Sequence, residues 1–502
     1  MTPPRGPTRP LASGEQLVST NPATGAEVGR FPVADPAAVD AAVAQAREAG
    51  RWWAGLGFAG RRRRLMRWRA LVANRMTGAA ELLHKETGKP VAEGTVETAA
   101  AISDIDWAAR HARRVLGPRR VRRVLAVAES AAHLEYQPYG VVGVIGPWNY
   151  PILVPISSIA YALAAGNAVV HKPSEWTPAV GQWLADTFAE VVPEQPVLQV
   201  VHGRGETGAA LCRAGVDKLS FTGSTATAKR VMAACAETLT PVVLEAGGKD
   251  AMIVDSDANL DAAAAACVWG ALTNAGQTCV GIERVYVAAE VYDGFLSRVT
   301  DRAGRLTVGA GDGADLGPIT MPGQLDVIRR HIEDALARGG RAVLGGPEAV
   351  RPPYAHPTIL VDVPADALAV TEETFGPTLV VTPVPDMDEA LRLANDSPYG
   401  LGGAVYGRRR AVAIARALRS GMASVNDVLS FAGMTSLPWG GVGSSGIGRL
   451  RGADGLREFG QAKSIVVRQA PSLLPSRTFD RTAKDVSRIV TAYRLRYGRA
   501  PR

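Results

Sequence analysis

Between Gln137 and Val170 the chain runs thirty-four residues without a charged side chain. By length alone such a run could span a bilayer. Its punctuation argues against one continuous helix. Gly140, Gly143, Gly146, Pro147, Pro151, Pro155 and Gly166 interrupt it, and backbone groups freed at a break find no water in lipid to replace the lost hydrogen bonds. The run is better satisfied as buried strand, turn and buried helix inside a protein core. A chain of 502 residues can supply that core, at roughly two to four domains.

The flanking pattern says what kind of core it is. From Pro36 to about Ala112 the apolar spacing is helical, with Gly88 placed as a C-cap. Residues Val121 to Tyr136 alternate like two strands around a turn near Glu129 to Ala132. After Tyr139 short Val/Ile runs alternate with Ala-rich helical stretches: GVVGVIG, NAVVHKP, VLQVV, KLSFTG and TPVVLEAGG each precede or follow one. That alternation predicts βαβ units and a parallel, doubly wound sheet. A second series begins near Ala251 with AMIVD and runs through RVYVAA, AVLGG, ILVDV, TLVVTPV and GGAVYG to ASVND. The expected fold class is therefore α/β: two doubly wound α/β domains plus a small β hairpin.

Cysteine and charge usage narrow the setting. Four cysteines, Cys212, Cys235, Cys267 and Cys279, form no C-x-x-C pair, so neither a disulfide framework nor a thiolate metal site is indicated, and a reducing cytoplasm fits best. The opening MTPPRGPTRPLASGEQ lacks the apolar stretch of a secretory signal and reads as a floppy, uncleaved tail. Net charge is +8, but the residues from Arg477 onward hold eight cations and two aspartates, leaving the rest of the chain nearly neutral. Nucleic-acid binding is thus not implied. The basic runs Arg61 to Arg64 and Arg113 to Arg123 read as solvated faces. In the tail, Val486, Ile489, Val490, Tyr493 and Tyr497 recur at helical steps opposite an Arg face. Such a helix could lie on an anionic membrane surface; docking on its own protein or on a neighbouring subunit carries more weight.

Several motifs sit where α/β sheets collect ligands. Gly203-Arg-Gly-Glu-Thr-Gly208 matches the dinucleotide fingerprint literally, yet no acidic residue follows between Phe221 and Arg230, so it reads first as a tight strand-to-helix turn. Phe221-Thr-Gly-Ser-Thr225 is the better phosphate site: Gly223 lets the backbone approach, and Ser224 can cap a helix whose free amides favour anions. Lys172 and Glu175 end a strand within KPSE, where they could meet ribose hydroxyls or stand simply as an exposed pair. Asn149 lies in the uncharged run, so its amide must find partners, by holding the loop or by donating to a substrate oxygen. Cys279 follows a polar, Gly-containing loop, whereas the other three cysteines stand in Ala-rich helical stretches; a thiol on such a loop is the exception to the rule that buried cysteines are inert. Glu245 ends the strand PVVLE at the sheet edge where a general base is needed. No histidine pairs with Cys279 in any motif, which disfavours Cys/His hydrolase chemistry.

PWNYP, KPSE, FTGST, LEAGGK, NAGQTC, EETFGP and PWGGVGSSG occur in this order from Pro147 to Gly446. Together they resemble the aldehyde dehydrogenase superfamily, over about Val18 to Lys463. The resemblance implies a dinucleotide-binding domain (1–119 and 138–246), a catalytic domain (247–447) and oligomerisation segments (120–137 and 448–475), followed by the basic tail (476–502), and a homodimer or homotetramer. It implies Cys279 as nucleophile, Asn149 and the Cys279 amide as oxyanion hole, and Glu245 as the base that activates water. It places Ile145, Gly146, Pro147, Trp148, Lys172, Ser174, Glu175, Gly203, Gly223, Ser224, Glu373 and Phe375 against the cofactor, with Lys172 in the catalytic group as well, and no metal. Glu175 should repel a 2′-phosphate and so favours NAD, while Lys172 and Lys229 leave room for NADP. The sequence departs from the family pattern at Ala246, Ala228, Gly443 and Trp439, none of them a catalytic position. Trp148, Leu429, Phe431 and Trp439 suggest an apolar aliphatic or aromatic aldehyde; Arg284 could serve an anionic one, though a structural role suits it better. Because Glu245 is present, hydrolysis of the thioester to a carboxylate is favoured over transfer to CoA. The alternative activity is a nicotinamide-independent thiol esterase using the same Cys279; a non-catalytic scaffold is disfavoured by the intact Cys279, Asn149 and Glu245.

Overall fold

The uncharged run folds as β1 (Val141–Ile145), a turn, the helix Leu153–Ala165 and the opening of β2 (Ala168–Lys172). The structure is a computed structural model that describes residues 14–311, 313–471 and 477–500. Most of the expected N-terminal tail, and parts of the 448–475 and 476–502 segments, lie outside those residues. Every residue of the helix Leu153–Ala165 except Leu153 is buried, which explains an apolar surface on all sides. Among the described residues no helix is long and apolar enough to cross a membrane.

The first sheet adds β3 (Leu198–Val200), β4 (Lys218–Thr222) and β5 (Val242–Glu245) in the spatial order β5-β4-β1-β2-β3, all parallel. Gly446–Ile447 pairs antiparallel on the outer side of β5. Helices on both faces keep these strands dry, so they read as continuous Val/Ile runs. The order reverses between β1 and β4, and beyond their carboxyl ends an open α/β sheet leaves a ligand crevice.

Only Ala246 to Lys249 separate β5 from β6 (Asp250–Val254), the first strand of the second sheet. This sheet continues with β7 (Ile282–Ala288), β8 (Arg341–Leu344), β9 (Thr358–Val361), β10 (Thr378–Val384), β11 (Gly403–Tyr406) and β12 (Ser424–Val425). Its order is β8-β9-β10-β7-β6-β11-β12, parallel except for β8. The sequence reading of two doubly wound sheets holds.

A third, antiparallel sheet joins Arg119–Val121, Ser130–Pro138 and Gly460–Arg468. The hairpin turn falls earlier than expected. Ser130 to Ala132 are strand, because Ala132 pairs with Val121 on one side and Val466 on the other, and pairing on both edges overrides the weak strand preference of alanine.

The N-terminal helices Pro36–Gly55, Gly57–Asn74, Met76–Thr87 and Val91–Leu116 pack outside the first sheet, and Gly88 closes the third in the left-handed region as expected. Arg61 differs from its reading as a solvated residue. It is buried, donating to the carbonyls of Ala54 and Ala164 and lying over the Phe58 ring, and burial holds its guanidinium down to about 10. Trp53 and Trp68 meet Phe188 edge-on at 5.9 and 5.2 Å, all three buried. Phe188→Ala is expected to cost about 3–5 kcal/mol, read as an earlier midpoint in chemical denaturation.

Candidate active site

Glu245 is the last residue of β5 in the first sheet, and Cys279 lies three residues before β7 of the second. They meet where the two sheets abut: the Cys279 Sγ–H donates to Glu245 Oε1 at 3.3 Å. The loop that delivers the thiol is unusual backbone. Asn274, Ala275 and Gly276 take positive φ in succession, 54°, 53° and 73°, at a cost of roughly 1–2 kcal/mol for each non-glycine residue. Gly276 has no alternative, since a Cβ there would stand 2.2 Å from the Gly376 backbone.

Side chains hold that strained loop in place. Glu93 accepts from the Asn274 amide and the Thr273 hydroxyl, both at 2.9 Å. Asn149 donates its amide to the Gln277 carbonyl at 3.0 Å, and Tyr150 and Thr278 share a hydroxyl hydrogen bond at 3.0 Å. The Asn149 carbonyl in turn accepts from Lys89 Nζ at 2.8 Å and Asn274 Nδ2 at 3.1 Å. Lys89 is itself paired with buried Glu97, whose other oxygen caps the amides of Ile152 and Leu153. The asparagine expected to meet substrate oxygen thus also welds the two loops together.

Burial sets the protonation of the pair. Removal from water pushes the Glu245 carboxyl above the usual carboxylate range, opposed by donation from Trp439, Cys279 and Thr222 and by the Arg451 charge. Burial and then the Glu245 charge, with Glu373 and Asp250 adding to it, hold the Cys279 thiol well above its ordinary value. The resting state is a thiol, with the carboxylate in hydrogen-bonding reach of its proton.

Beside the thiol opens a cavity of about 1280 Å³ at the reversal of the first sheet. It brings together Ile145, Gly146, Pro147, Trp148, Asn149, Lys172, Ser174, Glu175, Gly223, Ser224, Cys279, Glu373 and Phe375. Two helix starts face it. Ser224 caps Thr225–Ala236 by accepting from the Thr227 amide, and the first turn of Gly205–Arg213 supplies Gly205, Glu206 and Gly208. Free amides at two helix N-termini, a crevice of this size and the Glu175 carboxylate in its lining fit a dinucleotide with its pyrophosphate. Gly203 is not in the lining; its φ of 151° and the Thr207 hydroxyl 2.0 Å from where a Cβ would stand make it the turn residue of that helix start.

In the same lining, Trp148 and Phe375 meet edge-on at 5.4 Å. Phe375 has φ of 52° and is pinned by Glu283, which accepts its amide at 2.9 Å and the Thr374 amide at 2.8 Å. Glu283 also pairs with buried Lys249. Glu373 accepts from the Gly248 amide at 2.9 Å, and burial followed by the Glu283 charge pushes it up to about 8.

Sequence reasoning missed this Glu283–Lys249 clamp, the Lys89–Glu97 pair and the buried Arg451, which binds Asp104 and stacks 4.9 Å from Trp439. It also missed Trp176, Arg204, Arg230, Met321 and Gln324 in the cavity wall. Lys249 stood inside LEAGGK, but its partner thirty-four residues on carries no motif. Leu429, Phe431 and Trp439 are buried, with Phe431 and Trp439 5.8 Å apart. Arg284 is structural: its guanidinium donates to the carbonyls of Lys249, Leu393 and Ala394.

The raised Glu373 makes stability pH-dependent. Between the unfolded value near 4.3 and about 8, the folded state holds a proton the unfolded state has lost, so stability falls as pH rises through that window. Glu373→Gln is expected to flatten the decline in thermal midpoint from pH 5 to 8, and an unchanged slope would show that this carboxyl is not buried as described. Asp250 and Glu86, both raised by burial to about 7, act in the same direction and remain in the variant.

The profile described as "Aldehyde dehydrogenase family" matches residues 11–465. The chain is 37% identical to a 4,4'-diapolycopene aldehyde oxidase of Methylomonas sp over 447 residues, 88% of this chain and 84% of that protein. It is 35% identical, over 90% of itself and 88% of the relative, to a protein of Mycobacterium ulcerans (strain Agy99) provisionally named an NADP(+) succinate-semialdehyde dehydrogenase. Its fold superposes on the crystal structure of an NAD-dependent aldehyde dehydrogenase from Sinorhizobium meliloti with a TM-score of 0.89 at 30% identity, covering 94% of this chain and 95% of that one.

Proposed function

The chain belongs to the aldehyde dehydrogenase family, and from that premise we propose that it oxidises an apolar aliphatic or aromatic aldehyde to the carboxylate with NAD(P) through a covalent bond to Cys279. In this reading residues 1–119 and 138–246 hold the dinucleotide, residues 247–447 carry the thiol, and 120–137 with 448–475 join subunits into a homodimer or homotetramer in the cytoplasm. The observation that carries it is the 3.3 Å contact between Cys279 Sγ and Glu245 Oε1 at the wall of the cavity that also holds Asn149 and Phe375.

The Cys279 thiol gives up its proton to solvent, and Sγ adds to the aldehyde carbon. The Asn149 amide has two N–H groups, one of them given to the Gln277 carbonyl; the other is assigned to the alkoxide that forms, together with the Cys279 amide. A neutral donor serves here without titrating, and fixed donors aimed at developing charge need no reorganisation. A nicotinamide dinucleotide held by Lys172, Glu175, Gly223, Ser224 and Glu373 would supply the hydride acceptor. The thioester left on Cys279 is then attacked by water whose proton passes to Glu245, and the departing sulfur regains a proton as the carboxylate leaves.

Glu175 at the mouth of the cavity has a side chain 37% exposed and lies 3.9 Å from Lys172 Nζ. A carboxylate there accepts from a ribose 2′-hydroxyl and repels a 2′-phosphate, which supports NAD as the preferred cofactor. Trp148 in the cavity wall supports an apolar substrate, as does the commitment of Arg284 to backbone carbonyls.

Nucleotide reduction across short, long and aromatic aldehydes tests the reading. Cys279→Ala is expected to reduce no nucleotide, and Asn149→Ala to lose about 10²–10³ in kcat. Glu245→Gln is expected to give at most a burst followed by stalled turnover; full steady-state turnover in that variant would remove Glu245 from its role.

A further inference from the structure

The positive charge of this chain is concentrated outside the part that matches the family. The match ends at residue 465, whereas six of the eight net positive charges lie from Arg477 onward. There the chain forms the helix Ala483–Tyr497, opened by a capping box in which the Thr482 hydroxyl accepts from the Asp485 amide and the Asp485 carboxylate accepts from the Thr482 amide. Such a start is built into the local sequence and needs no outside partner.

Of the more heavily weighted expectation, a helix docked on its own protein or on a neighbouring subunit, the first part is not met within this chain. None of its residues is buried. The segment is tied to the body at its beginning, where the Arg477 guanidinium pairs with buried Glu129 beside the three-stranded sheet. Beyond that tie an apolar stripe faces outward. Val486, Val490, Tyr493 and Tyr497 are 39% to 57% exposed, and with Ile489 they recur at three- and four-residue steps on one side of the helix. Arg494 and Arg496 fall on the two borders of that stripe, and Lys484 and Arg488 on the opposite side.

We propose that this helix lies flat on an anionic lipid surface, with the stripe against the acyl chains, and holds the protein to a membrane. At about 22 Å it is too short and too charged to span one. An apolar centre, aromatic hydroxyls and guanidinium borders match the order of a leaflet edge, in which acyl chains lie beneath a layer of phosphates. The other occupant such a stripe could have is a second copy, but that copy would bring an equally cationic segment, and the rest of the chain carries about two net charges of the same positive sign. A nucleic-acid backbone would leave the apolar stripe unused. The proposal is independent of which aldehyde is oxidised.

Co-sedimentation of the full-length protein with vesicles tests it, using phosphatidylcholine alone and phosphatidylcholine mixed with phosphatidylglycerol. Binding is expected only to the anionic vesicles and should weaken as salt is raised. Each cation is worth about fivefold in partitioning, so Arg488→Ala, Arg494→Ala and Arg496→Ala together should lose roughly a hundredfold. Val486→Ser, Val490→Ser and Tyr493→Ser, which keep the charge, should release the protein as well. Deletion from Arg477 should abolish vesicle binding and leave turnover of a water-soluble aldehyde unchanged. Wild-type protein that ignores anionic vesicles, or binding that survives the deletion, overturns the proposal. So does full binding by the serine variant, or a deletion that alters only the assembly size in gel filtration, which would give the stripe to a second copy.

Discussion

A buried thiol within hydrogen-bonding distance of a buried carboxylate is the contact on which the rest of this structure converges. Each group alone would be an electrostatic burden, since burial disfavours the thiolate and the carboxylate alike. Together they share a proton at 3.3 Å, and the positions of both are set by secondary structure: Glu245 by the end of β5, Cys279 by the run into β7. The four-residue link between β5 and β6 keeps the two sheets in register at this point.

Around that contact the protein spends buried charge on holding loops. Lys89 and Glu97 fasten the Asn149 loop, Glu93 the left-handed turn before Cys279, and Lys249 with Glu283 the loop that carries Glu373 and Phe375. Buried ion pairs are weak contributors to stability when both desolvation penalties are counted, and costly to break on one side only. Their use here is positional. Asn274, Ala275 and Phe375 all sit at positive φ, conformations that persist only where the surroundings over-determine them.

Much of this was legible in the amino-acid sequence, for physical reasons that differ by element. The strands of both sheets were visible because parallel strands buried on two faces must be continuous Val/Ile runs, and the helix Leu153–Ala165 because it has no solvent face. Cys279, Glu245 and Asn149 were visible because each stands at a break in such a pattern. The clamps were not, since Lys249 and Glu283, or Asp104 and Arg451, meet only through the fold and have no spacing to betray them. Arg61 looked like one of four solvated arginines because nothing local says that the carbonyls of Ala54 and Ala164 await it. The hairpin turn was displaced for a similar reason: Ala131 pairs with Val467, and Ala132 has partners on both sides.

The covalent step is the claim to which all of this leads. Mixing the Glu245→Gln protein with an aldehyde and nicotinamide dinucleotide, quenching in acid and mapping the digest by mass spectrometry should find the acyl group of that aldehyde as a thioester on the Cys279 peptide. Its accumulation should depend on the dinucleotide. An unmodified Cys279 peptide, or an acyl group carried by Cys212, Cys235 or Cys267 instead, would contradict the account.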